Sequence, residues 1–184
     1  MKTIFSVIAL SFPAATFACP DVADRSAEMA ELVAAARAAP NEMAGREVGG
    51  QMWEIWAEAP DEQAQAILDR GILKLRSYNF LGAISDFDAL IAYCPDYAEG
   101  YNQRAFAYFL NGVFDKAVAD LDKAIALRPD HVAARAGRAL SLMNLGRLDE
   151  ARVDLQAALD LNPWLSERAL LAPGGALEPQ GDDI

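Results

Sequence analysis

A beat of 34 residues runs through the chain from its middle onward. Ala83, Ala117 and Ala151 keep it, and so do Pro95, Pro129 and Pro163. Phe80, Phe114 and Leu148 keep it too, as do Arg70, Arg104 and Arg138, Asp86, Asp120 and Asp154, and Phe87, Leu121 and Leu155. A fixed period near this length belongs to stacked helix pairs, each too small to bury its apolar face alone. The interval therefore constrains the fold before any single residue does.

Within each period the pattern is helix, turn, helix. Helix A is expected over about 62–77, 98–111 and 132–145, and helix B over about 80–93, 114–127 and 148–161. Asn111-Gly112 and Leu145-Gly146 supply the inner turns, where glycine takes positive φ at little cost. The first unit has Tyr78-Asn79 there, and asparagine is expected to take that conformation in glycine's place. Pro95, Pro129 and Pro163 end helix B of each unit, because proline lacks an amide donor and restricts the residue before it.

These positions resemble the tetratricopeptide repeat. Numbering units from Ala64, Ala98 and Val132, position 8 holds Gly71, Ala105 and Ala139, and position 20 holds Ala83, Ala117 and Ala151. Position 27 holds Leu90, Ala124 and Ala158, and position 24 holds the large Phe87, Leu121 and Leu155. The family's tryptophan at position 4 and leucine at position 7 are missing. The resemblance implies an all-α, right-handed α-solenoid of three regular units (64–97, 98–131, 132–165, the repeats together covering 62–163). An irregular helix pair over 19–61 precedes them, with helices expected at 20–40 and 42–59. Trp164 to Leu171 is expected to cap the last unit as a short helix, and 172–184 reads as a loose tail.

The first 18 residues read as a leader outside the fold. Lys2 gives a positive start, Ile4 to Phe12 is a short apolar run, and Thr16-Phe17-Ala18 offers a cleavage site before Cys19. Export, and a periplasmic location, follow as expectations. Two cysteines, Cys19 and Cys94, then suggest a disulfide in an oxidising compartment. Two alternatives stay open: Cys94 as a buried free thiol, and Cys19 as a lipid-modified first residue. Lipidation would make the protein a membrane-tethered envelope assembly factor. The residues before Cys19 suit a lipoprotein signal poorly.

A formal charge of −11 disfavours nucleic acid and anionic lipid as partners. No phosphate loop, nucleophile elbow or His-Glu-x-x-His motif is present, so an enzyme, a cofactor and a metal site are not expected. His131 is the only histidine and is expected at the surface of a connector.

Two constellations remain. Position 7 is arginine and position 23 aspartate in every unit, which suggests one ion pair across each helix pair: Arg70–Asp86, Arg104–Asp120 and Arg138–Asp154. Three copies argue for structure rather than catalysis. Positions 5, 9 and 12 of helix A line the concave groove in this family. Here they carry Leu68, Ile72 and Leu75, then Asn102, Phe106 and Phe109, then Ala136, Leu140 and Met143. That groove lacks the lysines and arginines that grip a C-terminal carboxylate. The resemblance therefore implies an exported adaptor that binds an apolar helix or peptide of another protein. The competing reading is that the chain fills its own groove with Met52, Trp53, Trp56 or Trp164.

Overall fold

A computed structural model describes residues 18–179. The expected leader lies outside the described residues except for Ala18, and so do residues 180–184. The described residues form eight α-helices and one 3₁₀ turn, with no strand. They are α1 (Ser26–Ala38), α2 (Glu42–Ala57), α3 (Glu62–Arg76), α4 (Phe80–Tyr93), α5 (Ala98–Leu110), α6 (Phe114–Leu127), α7 (Val132–Asn144) and α8 (Leu148–Leu161). The 3₁₀ turn spans Ser166–Leu170.

Three hairpins, α3/α4, α5/α6 and α7/α8, stack in order through α4 on α5 and α6 on α7. Local chemistry sets their ends. The Asp61 carboxylate accepts the Ala64 amide at 2.7 Å and opens α3. Gly112 and Gly146 both turn at φ +75°. In the first unit the left-handed residue is Tyr78, at φ 60°, and not Asn79. Asn79 instead caps α4 by accepting the Gly82 amide. The turn keeps its register, so whatever residue stands one period before Gly112 must take the strained conformation.

Position 8 faces position 24 inside each hairpin, and the two vary together. Gly71 lies under the Phe87 ring, where an added Cβ would stand 2.3 Å from Phe87 Cε1. The other two units combine alanine with leucine: Ala105 with Leu121, and Ala139 with Leu155. All are buried, at 3% exposure or less. A larger ring is matched by a smaller partner, which preserves the helix separation.

The N-terminal pair differs from expectation in length and place. Its helices are shorter (26–38 and 42–57), and it does not stack on the first unit. Met29, Val33 and Ala36 of α1 and Met52, Ile55 and Trp56 of α2 share one core cluster with Val132, Ala136 and Ala158 of the last unit. The pair thus reaches across the helix A side of the stack, over α5, to α7 and α8. Gly45 makes the far contact possible: an added Cβ would stand 2.1 Å from Trp164 Cγ. The Trp164 indole also donates to the Ala36 carbonyl at 3.0 Å.

The C-terminal segment is not a loose tail through 179. Leu177 is fully buried, in a cluster with Val118, Ala139, Leu142, Ala151 and Leu155. Arg152 Nε holds the Leu177 carbonyl at 3.1 Å. Leu177 covers the apolar face that a fourth unit would otherwise cover.

The paired sizes at positions 8 and 24 give a test. Gly71→Ala should destabilise the chain by about 1–3 kcal/mol through overpacking. Adding Phe87→Leu should recover much of that loss, a coupling read from denaturant melts of the double-mutant cycle.

Candidate functional site: the remnant of the concave face

Helix α2 covers part of the face on which the nine candidate groove residues were placed, and Ala136 is buried beneath it with Met52, Ile55 and Trp56. Those residues part into two groups. Leu68 and Leu75 are core residues, 0% and 7% exposed, and pack with Phe87, Leu90 and Cys94. Their helix A face meets the first hairpin's own core, so they cannot serve as groove surface. Ile72 packs against the same cluster, and Met143 against the cluster that holds Leu177. The other four, Asn102, Phe106, Phe109 and Leu140, come together around a cavity of about 220 Å³ between α2, α5 and α7. Trp53 of α2 supplies a further wall, with Ala133 and Gly137 of α7 completing it. Phe106 is 49% exposed and Trp53 43%. The chain's own residues thus cover one stretch of this face, and Phe106 and Trp53 leave another exposed.

The cavity rests on a buried polar network that the repeat pattern did not indicate. Glu99 and His131 are each 1% exposed, so His131 is not the surface residue expected of a connector. Its Nε2 lies 2.9 Å from Glu99 Oε2. Its Nδ1 accepts the Ala134 amide at 3.3 Å, capping α7, which puts the ring proton on Nε2. Trp56 stacks on the imidazole, with ring centroids 4.3 Å apart. Asn102 Nδ2 donates to Glu99 Oε2 at 3.1 Å, and Gln103 Nε2 donates to Oε1 at 2.6 Å. Three donors thus converge on one buried carboxylate. The Tyr97 hydroxyl donates to the Trp56 carbonyl at 2.8 Å. Burial, reinforced by the nearby Glu99, pushes that phenol far above its ordinary range. The sequence signal for this network was departure from the period: the residues matching Glu99 in the other units are Gln65 and Ala133, and those matching Gln103 are Asp69 and Gly137.

The repeated charges form a ladder on another surface of the stack. Arg70 Nε donates to Asp86 at 2.9 Å. Arg104 takes both oxygens of Asp120, at 2.7 and 2.6 Å, and Arg138 both oxygens of Asp154, at 2.6 Å each. Arg104 also reaches back to Asp88 at 2.7 Å and Arg138 to Asp122 at 2.5 Å, so each joins two units. The hydrogen bonds that Arg104 donates to Asp120, assisted by Asp88, raise its pKa further, and Asp154 with Asp122 does the same for Arg138. Asp86 feels burial first, which opposes ionisation. Hydrogen bonds from Lys74 and Arg70 outweigh it and leave the carboxyl below its ordinary value.

In the structure the Cys19 and Cys94 sulfurs lie within bonding distance of each other, a geometry that would tie the residues before α1 to the end of α4. Among the described residues, no helix is long and apolar enough to cross a membrane.

Comparison with known proteins agrees with this architecture. The sequence profile of the tetratricopeptide repeat matches residues 108–164. No curated protein sequence matches the chain. Among solved structures, the first TPR of Spaghetti (RPAP3), bound to the HSP90 peptide SRMEEVD, is 27% identical with a TM-score of 0.57, over 58% of this chain and 86% of that one. The second TPR domain of human RPAP3, in complex with the HSP70 peptide SGPTIEEVD, is 30% identical with a TM-score of 0.55, over 57% and 88%. The Arabidopsis OM64 TPR domain is 25% identical with a TM-score of 0.56, over 57% and 87%.

The lowered pKa of Asp86 predicts a pH dependence. Its carboxylate stabilises the fold fully above the unfolded aspartate value of about 4, and the contribution is lost as pH falls through the lower native value. The stability gap between wild type and Asp86→Asn should therefore be widest near neutral pH and should shrink below about pH 4. Urea melts of both proteins across that range check it.

Proposed function

Because the chain belongs to the tetratricopeptide repeat family, we propose that it is a protein-interaction module that takes an apolar segment of a partner protein into the cavity between α2, α5 and α7. One observation carries this reading: Phe106 and Trp53 stand half-exposed around a concave cavity whose other walls are mostly apolar, with Asn102, Gln103 and Ser141 as its polar members. Exposed aromatic surface gathered in a concavity is costly to leave in water and marks a contact site. The peptides in the RPAP3 complexes end in the acidic sequence EEVD. No lysine or arginine lines the cavity here, so an acidic tail has nothing to pair with. The proposed ligand therefore differs in chemistry from those acidic peptides, although in both cases the ligand is a peptide segment.

The module works outside the cytoplasm in this reading, after cleavage before Cys19. The pairing of Cys19 with Cys94 supports it, since a disulfide persists in an oxidising compartment. The same pairing speaks against a lipid anchor, because one sulfur cannot carry both bonds. Joining residues 75 apart in sequence stabilises the fold by about 4–5 kcal/mol in the chain-entropy model.

Two measurements test these statements. Phe106→Glu should abolish partner capture while the thermal melt stays within about 1 kcal/mol of wild type, as befits a half-exposed side chain. Loss of capture together with unfolding would instead make Phe106 a core residue. Intact mass of the exported protein should equal that of the chain from Cys19 less about two mass units, the two thiol hydrogens. An addition of hundreds of mass units would mean lipid.

A further inference from the structure

The polar atoms of the cavity carry more information than its apolar walls. Asn102 and Gln103 both line it, and both turn their amide nitrogens to Glu99. An amide that commits its nitrogen to one side presents its oxygen to the other. Among the described residues, no donor reaches Asn102 Oδ1 or Gln103 Oε1, and neither oxygen is sealed from solvent. Two residues that line the cavity therefore each keep an acceptor oxygen free for a donor. Behind them stands the Glu99 carboxylate. It is held by Asn102, Gln103 and His131, and among the described residues no arginine or lysine bonds to it. Around them stand Trp53, Phe106 and Phe109, whose ring faces attract cations.

We infer that the cavity selects a basic anchor, a lysine of the partner segment with its methylene stem between Trp53, Phe106 and Leu140 and its ammonium at Asn102 Oδ1 and Gln103 Oε1. This rests on the reading of the cavity as a peptide site and names the chemistry it prefers. The length of an apolar stem with a donor at its tip matches apolar walls with acceptors at one end. The strongly negative chain, at −11, favours approach of such a segment and opposes an acidic one. Glu99 acts as a positioning residue, since it fixes both amides without meeting the ligand.

The test is an unbiased peptide library displayed against the oxidised chain, with the Phe106→Glu chain as counter-selection. Selected peptides are resynthesised with the conserved basic residue replaced by norleucine or by glutamate. The expected result is a Phe106-dependent set carrying lysine or arginine beside apolar residues. Norleucine should bind about tenfold more weakly, as loss of a charge-assisted hydrogen bond implies, and glutamate more weakly still. Gln103→Leu should reduce the lysine-to-norleucine ratio towards one. The wild-type comparison of the two side chains needs no variant and decides the matter even where Gln103→Leu folds poorly. Phe106-dependent peptides in which norleucine binds as tightly as lysine would overturn the basic anchor and leave the peptide site standing. A selection in which no peptide depends on Phe106 would overturn both.

Discussion

Three helix hairpins in a row cannot hide their own apolar surface. Each hairpin covers one side of its neighbour, which leaves the first and last units bare and the helix A side lined with Phe106, Phe109 and Leu140. The segments outside the repeats are organised by the need to cover those faces. Val22 and Cys19 lie against the first unit's core. Leu177 and the 3₁₀ turn close the last unit. Helices α1 and α2 take the concave side, with Met52 and Trp56 buried among residues of α7 and α8. What they leave uncovered is the cavity beside Trp53.

The charge ladder follows the same logic at its ends. Arg104 and Arg138 each bridge to the aspartate two residues after the pairing aspartate of the preceding unit. The first unit has no predecessor, and there Lys74 joins Arg70 on Asp86 at 2.5 Å. The last unit has no successor, and there the matching position holds Gln156, which bonds Asp160 on its own helix. A carboxylate at 156 would have no arginine to meet, so a neutral amide stands in its place. The ladder therefore marks where the stack begins and stops.

What the period repeats was legible in the sequence. The six stacked helices, the two glycine turns, and the residues at positions 8, 20 and 24 follow from recurrence, since an equivalent niche in each layer demands an equivalent side chain. What occurs once was not. Glu99 and Gln103 break the repeat, and His131 reads as an ordinary connector residue until Trp56 from a distant helix is laid on its ring. Nothing in the repeat pattern marks Gly45 as a socket for a tryptophan more than a hundred residues away. Leu177 sits in a stretch rich in proline and glycine, and composition says nothing of one leucine reaching a core. Leu68 and Leu75 were misplaced because helix spacing tells which residues share a face, not what that face meets.

The meeting of Gly45 with Trp164 has a consequence for how such a chain can change over time. An ordinary solenoid lengthens by copying one unit, since its ends are free and the new layer only pushes them apart. Here a girder of two short helices runs from the start of the stack to its finish, and its reach is set by α1 and α2 alone. Inserting another layer would carry Trp164 beyond that reach and strip the girder of its far footing. The number of layers is thereby gauged by a part that is not itself a layer, and adding one would cost the contact between Gly45 and Trp164.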